Sequence, residues 1–309
     1  MKNIVIAAGY ATRLGELTKN FPKPLLKIGE NTILGRMLDD IDRIPEIDEH
    51  IIISNHKFAH IFEEWAEKRS LDYVTSSTSV TTRQSQCEHR FALTAPSVRD
   101  DKGEGARDDI KGGRYDNPSV ISTKQSAWRD PMRSLGARKP ITIVDDGTET
   151  NETRLGAVCD LLFAMDKLHI DDDLLVVAAD NLLFFSFQEF VDFARAKGTS
   201  CIMCHEQPSI EKLQRTGVVE LDYNNKVLGM EEKPQVPKSH WAVPPFYVYL
   251  KKDLDLVRHS VENGCGKDAP GNLAHYMVEH TTMHAWPMSA GRFDIGSIDT
   301  YEEAKRKFG

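Results

Sequence analysis

The sequence predicts an α/β fold with a central, mostly parallel mixed sheet flanked by helices and interrupted by one low-complexity insertion. Three observations predict it. Short apolar, β-branched runs alternate with amphipathic helical stretches from residue 2 to about 68, and again from 141 to 307. Two of the runs, EHIIIS and DLLVVAA, are apolar through successive positions, the pattern of strands covered on both faces. The 309 residues, 40% hydrophobic and 28% charged, supply a core that needs no disulfide or metal staple.

In chain order, Lys2–Ala8 reads as a buried strand running into a turn at Gly9. Ile33, Leu34, Met37, Leu38 and Ile41 give Thr32–Ile44 a helical stripe. Glu49–Ser54 is the next strand and Ala59–Lys68 the next helix. After the insertion, Ile141–Val144 is a strand and Arg154–Leu168 a helix; Asp173–Ala179 is a strand and Ser186–Lys197 a helix. Ser200–His205 and Thr216–Leu221 are strands, and Tyr223-Asn224-Asn225 marks a hairpin turn between Val218–Asp222 and Lys226–Glu231. Pro244–Leu250 is a strand, followed by helices at Asp253–Val261 and Gly271–His280. A strand at Met283–Pro287 and a helix at Ile298–Lys307 close the pattern.

The segment 74–138 differs in kind. Leu, Ile, Val and Phe make up 9 of its 65 residues, about 14%, below the roughly 20% that supports a packed core, and 15 are Ser or Thr. The expected organisation is one domain, 1–73 with 139–309, carrying a disordered insertion at 74–138. A docking loop, or retained sequence foreign to the fold, are the other readings. The insertion carries +3 of the −8 total, leaving −11 on the remaining 244 residues. That acidity excludes a basic nucleic-acid groove, though a few converging cations can still hold a phosphate. No apolar run has membrane-spanning length, the N-terminal run is too short for a signal-peptide core, and five scattered cysteines suit a reducing, cytoplasmic setting. Cys201-x-x-Cys204 sits in a strand-like run without a second ligand pair and reads as ordinary strand residues.

Three motifs carry chemistry. Ala7-Ala8-Gly9-Tyr10-Ala11-Thr12-Arg13-Leu14-Gly15 follows the first strand, where a glycine turn exposes backbone N–H groups to phosphate oxygens. It is neither a dinucleotide fingerprint nor a Walker A loop. Ten residues on, Pro22 and Pro24 pin the backbone around Lys23, so Arg13 and Lys23 form a pair of fixed cations. Asp180, in Ala178-Ala179-Asp180-Asn181, ends a doubly buried strand; it reads either as a Mg²⁺ ligand or as a helix N-cap. Asp294 is a second isolated carboxylate, before the last helix. Glu231-Glu232-Lys233-Pro234, taken alone, reads as solvated surface.

In order along the chain, AAG-x3-TRL, PKPLL, LGA, ADN, GVVE, EEKP and DIGS resemble the landmarks of the sugar-1-phosphate nucleotidyltransferase family, the NDP-sugar pyrophosphorylases of glucose-1-phosphate uridylyl- and thymidylyltransferase type. The resemblance covers about 1–72 and 139–309. It implies a Rossmann-like nucleotidyltransferase domain that joins a nucleoside triphosphate to a sugar-1-phosphate with Mg²⁺ and releases pyrophosphate. Ala7, Ala8 and Gly9 would then face the nucleotide, and Arg13 would grip its triphosphate. Lys23 would stabilise the α-phosphate, and Gly156, with Arg154–Ala157 and Asp146–Thr148, would lie along base and ribose. Asp180 and Asp294 would hold the metal; Gly217 and Glu232 would bind sugar hydroxyls and Lys233 the sugar phosphate. The resemblance implies neither a nucleic-acid nor a membrane partner and leaves homo-oligomerisation open. Two other classes stay in view, a non-catalytic regulatory or assembly subunit of the same fold and a cytidylyltransferase for a small amino-alcohol phosphate. Many members carry Thr-Gly where this chain has Val243-Pro244-Pro245, which puts the sugar contacts there in question.

Overall fold

Strand β1 (Lys2–Ile6) sits at the centre of the sheet in a computed structural model that describes residues 1–71 and 138–309. It pairs in parallel with β4 (Glu49–Ser54) on one side and with β6 (Leu174–Ala178) on the other. Strand β5 (Ile141–Asp145) adds to β4, also in parallel. The short β2 (Lys27–Ile28) and β3 (Asn31–Thr32) form a separate small hairpin before α1 (Ile33–Ile41). A second helix, α2, spans 56–71.

Beyond β6 the sheet becomes mixed. After α3 (Ala157–Lys167), β7 (Asn181–Leu183) and α4 (Phe187–Lys197) comes β8 (Cys201–Glu206), then α5 (Ile210–Leu213) and the hairpin β9 (Gly217–Leu221) and β10 (Val227–Glu232). Strands β11 (Trp241–Val243) and β12 (Phe246–Tyr249) are two halves of one run, split at Pro244-Pro245 because proline cannot donate to a ladder. β12 inserts antiparallel between β6 and β8, while β11 bridges β8 and β9. Helices α6 (Leu254–His259) and α7 (Pro270–His280) precede β13 (His284–Pro287), which joins β8 in parallel. β14 (Arg292–Asp294) pairs with β7 outside the main sheet, and α8 (Ile298–Phe308) follows.

Period-two alternation divides the core. Ile4 faces one cluster with Val158 and Leu161 of α3, Val257 of α6 and Leu273 of α7. Its neighbour Val5 faces another with Leu34 and Leu38 of α1, Phe62 of α2 and Phe190 of α4. A third cluster, Leu14, Leu26, Ile33, Leu182, Ile295 and Tyr301, docks α8 beside the first loop.

The predicted elements are present with shifted ends. The α3 pattern was expected from Arg154 but begins only after Gly156, and α1 stops at Ile41 rather than Ile44. Strands β7 and β14, three residues each, were not anticipated. Cys201 and Cys204 are buried β8 residues as expected, and burial pushes their thiols up to about 11 and about 12. The expected insertion, 74–138, lies outside the described residues apart from Arg138. Among the described residues no helix is long and apolar enough to cross a membrane.

Candidate active site

The Ala7–Gly15 and Asp180 motifs leave the carboxyl ends of the parallel strands β1 and β6, where open α/β sheets place their ligands. Ala7, Ala8 and Gly9 leave β1 there; Ala7 and Ala8 are buried and Gly9 is exposed. The Ala8 carbonyl accepts from the Asn55 amide at 2.9 Å, at the end of β4. Ala11 then takes the left-handed conformation, φ 48°, and its carbonyl accepts from the Thr18 hydroxyl at 2.9 Å. This fold of the loop buries Leu14 and leaves Arg13 exposed.

Lys23 lies in a single 3₁₀ turn, Lys23–Leu25, flanked by the prolines. Its stem is buried and its ammonium donates to Asp180 Oδ2 at 2.9 Å. Asp180 is not a helix N-cap: it precedes β7, and α4 is capped by Ser186. The other Asp180 oxygen accepts from Asn181 Nδ2 at 2.7 Å. Asn181 stands opposite Asp294 in the β7–β14 pair, so that small ladder brings Asp294 beside Asp180. The Ile295 N–H donates to the Asp180 carbonyl at 3.1 Å, closing the arrangement. Although the residue itself is solvent-exposed, partial desolvation by the protein packed around it raises the Asp294 carboxyl above its ordinary range, and the charge of Asp180 adds to this. Lys23, Arg292 and Arg13 oppose it. Two carboxylates and three cations therefore share one field.

At the β5 end, the Asp145–Thr148 turn is braced from several sides. His56 Nδ1 meets Asp145 Oδ2 at 2.6 Å, the Gly147 N–H donates to Asp145 at 2.8 Å, and the Thr148 N–H donates to Asp146 at 2.7 Å. Tyr10 Oη lies 3.3 Å from the Thr148 hydroxyl. Gly156 opens α3 with φ 91°, and a Cβ there would come within 2.6 Å of the Lys267 carbonyl, so only glycine fits. The first N–H groups of α3, on Ala157 and Val158, donate to the Asp268 and Lys267 carbonyls. Arg154 likewise pairs with Asp268, at 3.0 Å.

Farther along the sheet, the solvated-surface reading of EEKP fails for Glu232, whose side chain is only 17% exposed. Glu232 packs against Gly217 and Gly271, and a Cβ on Gly271 would lie 2.0 Å from its Oε2. Burial raises its carboxyl, opposed by the charges of Lys233 and His275. Lys233 has left-handed φ, 52°, and its N–H donates to the Thr216 carbonyl at 3.1 Å. This turns an exposed ammonium to within 3.8 Å of Glu232. At the altered Val243-Pro244-Pro245 stretch the carbonyls serve the fold: Val243 accepts from Thr216 Oγ1 and Pro245 from the Ala178 N–H.

Sequence reasoning missed Arg292 and gave no role of their own to Asn181, seen only as part of the ADN motif, or to His205 after the Cys-x-x-Cys pair. Arg292 is two residues before Asp294 on the same face of β14, donates to Asn181 Oδ1, and stands among the charges acting on His205. Reading RFD as a strand was the signal that could have found it. Burial, with Arg292 adding, pushes His205 down to about 4, so it is neutral at pH 7. Among the described residues no three His, Cys, Asp or Glu side chains cluster as a metal cage.

A family model described as "Nucleotidyl transferase" matches residues 2–103 and 113–309. A glucose-1-phosphate adenylyltransferase of Fervidobacterium nodosum is 29% identical over 133 residues, 42% of this chain and 32% of that protein. A glucose-1-phosphate thymidylyltransferase of Neisseria meningitidis is 26% identical over 137 residues, 43% and 47% respectively. The chain thus spans about a third to a half of the length of these curated relatives. A UDP-glucose pyrophosphorylase solved with UDP-glucose superposes with TM-score 0.68 at 15% identity, covering 99% of this chain and 97% of that one. A UTP-bound UGPase from Acinetobacter baumannii gives 0.65 at 14%, covering 100% and 93%. At such identities these two likenesses concern the fold.

Proposed function

The chain belongs to the nucleotidyl transferase family, and from that premise we propose that it transfers a nucleotidyl group from a nucleoside triphosphate to a sugar-1-phosphate, releasing pyrophosphate. The observation that carries this reading is the contact of Lys23 with Asp180 at 2.9 Å, beside Asp294 and Arg292 and in the field of Arg13. A phosphate oxygen of the sugar-1-phosphate forms a bond to the α-phosphorus as the bond to the β-phosphate oxygen breaks. The nucleophile is already ionised at pH 7, so no side-chain base is required. The obstacle is bringing two anions together, and fixed cations reduce it.

Arg13 grips the triphosphate and, being exposed on its loop, is reached from solvent. Lys23, held by its prolines, faces the α-phosphate. Ala7, Ala8 and Gly9 present backbone to the nucleotide, with the turn before Thr148 and Gly156 at the base end. Glu232 and Gly217 meet sugar hydroxyls, and Lys233 the sugar phosphate. Asp180 and Asp294 fit a Mg²⁺ ion: two carboxylates close enough for the charge of one to act on the other, with no third His, Cys, Asp or Glu clustered beside them among the described residues, would leave positions for water and phosphate oxygens. Bound there, Mg²⁺ supplies charge neutralisation at the reacting phosphates.

A uracil or thymine nucleotide with glucose-1-phosphate is the proposed pairing, in keeping with the names of the thymidylyltransferase relative and the UDP-glucose neighbour. Free thiols at Cys159, Cys201, Cys204 and Cys265 suit a reducing, cytoplasmic compartment. The test is pyrophosphate release from a panel of nucleotides and sugar phosphates. Release is expected with Mg²⁺ and lost with chelator; absence from every combination refutes the proposal.

A further inference from the structure

Asp146 ends the β5 turn and Asp160 lies in the first turns of α3; they are 7% and 5% exposed. Asp146 Oδ1 accepts from the Thr148 N–H, whereas Asp146 Oδ2 and Asp160 Oδ1 are buried and have no donor among the described residues. The two carboxyls are neighbours in the fold, each acting on the other by hydrogen bonding and, on Asp160, by the charge of Asp146. Two neighbouring carboxylates buried this deeply resist ionising together, and a single proton supplies the donor that both orphaned oxygens lack.

We propose that Asp146 and Asp160 share one proton, and that this carboxyl–carboxylate bond is a clasp tying the Gly147–Thr148 turn to α3 and so positioning it for the nucleotide. The role toward the nucleotide rests on the function proposed above; the shared proton does not. Asp160 is a positioning residue, since it reaches the turn only through Asp146.

The surroundings favour one proton rather than none. Asp145 adds like charge beside Asp146 and is itself paired with His56. Lys167 donates to the Asp145 carbonyl. Tyr10, Glu149 and Glu152 bring no cation from the loop side. On the helix side Cys159 lies beside Asp160, with Lys267 acting on the thiol. Burial first, then the charge of Asp146, holds the Asp160 carboxyl at about 7 against an ordinary 3.8. The folded value lies above the unfolded one. The stabilisation is therefore complete below the unfolded value and is lost as pH rises through about 7.

The experiment compares the full chain with Asp160→Asn, whose amide donates to Asp146 at every pH. Thermal unfolding, the infrared carboxylic C=O band and the nucleotide KM are followed from one unit below neutrality to one unit above. For the wild type we expect a falling Tm, a fading protonated-carboxyl band and a several-fold rise in KM rather than a change in kcat. Asp160→Asn lacks the band and flattens both profiles. A wild type without the band at the acid end, or an Asp160→Asn profile that still slopes like the wild type, overturns the clasp. If Asp160→Asn does not fold, Asp146→Asn carries the same comparison, read as the protonated-carboxyl band that the wild type shows in excess of the variant. Absence of turnover with any nucleotide while the band and Tm slope persist refutes the proposed function and leaves the shared proton standing.

Discussion

Lys23 reaches Asp180 across 157 positions of chain, from a turn whose two prolines leave it little freedom. Because Asp294 stands close enough for Asp180 to raise its carboxyl, removing the ammonium leaves two acids with less compensation. Lys23→Met keeps the buried stem and deletes the charge. Turnover should drop about a hundredfold or more, and Asp180→Asn or Asp294→Asn should do the same, each retaining a cooperative thermal transition. Wild-type kcat in all three would remove these residues from the chemistry. The pinned backbone at Lys23 and the placement of Asp180 at the end of a buried strand were legible in the sequence because flanking prolines and a strand end are local signals. Arg292 was not. Its partner Asn181 lies 111 residues away, and the one local hint, the strand-like RFD, is too short to stand out as an element.

Elements explain where sequence reading succeeded and where it slipped. Strands such as Glu49–Ser54 were read with their exact ends because burial on both faces leaves a continuous apolar run. The start of α3 was misplaced because its apolar stripe does not reveal that Gly156, at φ 91°, turns the chain, nor that residues 267–268 occupy its first N–H groups. The fit of α7 against β10 was equally invisible, since it depends on Gly271 meeting Glu232 in three dimensions. An added Cβ 2.0 Å from Glu232 Oε2 forces that carboxylate to move. Gly271→Ala should therefore raise the KM for the sugar phosphate several-fold, more than the KM for the nucleotide. Equal effects on the two substrates would place Glu232 elsewhere in function.

At the scale of the whole molecule, Asp42 joins the two described ends that flank residues 72–137. It pairs with Arg69 at 2.8 Å near the end of α2 and with His50 at 2.9 Å on β4. It also accepts from the Lys139 N–H at 3.0 Å, while Arg138 donates to the Arg69 carbonyl. Burial pushes the Asp42 carboxyl up, but the hydrogen bonds from His50 and Lys139 and the charges of His50 and Arg69 outweigh it and hold it below the usual range. The two flanking ends are thus fastened to each other through Asp42 and Arg69. Replacing residues 74–137 by a short Gly/Ser turn should leave Tm within a few degrees and activity intact; loss of the unfolding transition would make that segment part of the core. The acidity read from composition fits the same picture, because Arg13, Lys23 and Arg292 act on Asp294 within one small region of an acidic surface. The most direct test of the account follows an isotopic label placed at the α-phosphorus of the nucleotide during turnover with a sugar-1-phosphate. The account predicts that the label enters the nucleoside diphosphate sugar while the β- and γ-phosphates leave together as pyrophosphate. Label recovered in a nucleoside monophosphate, or loss of the γ-phosphate alone, would contradict it.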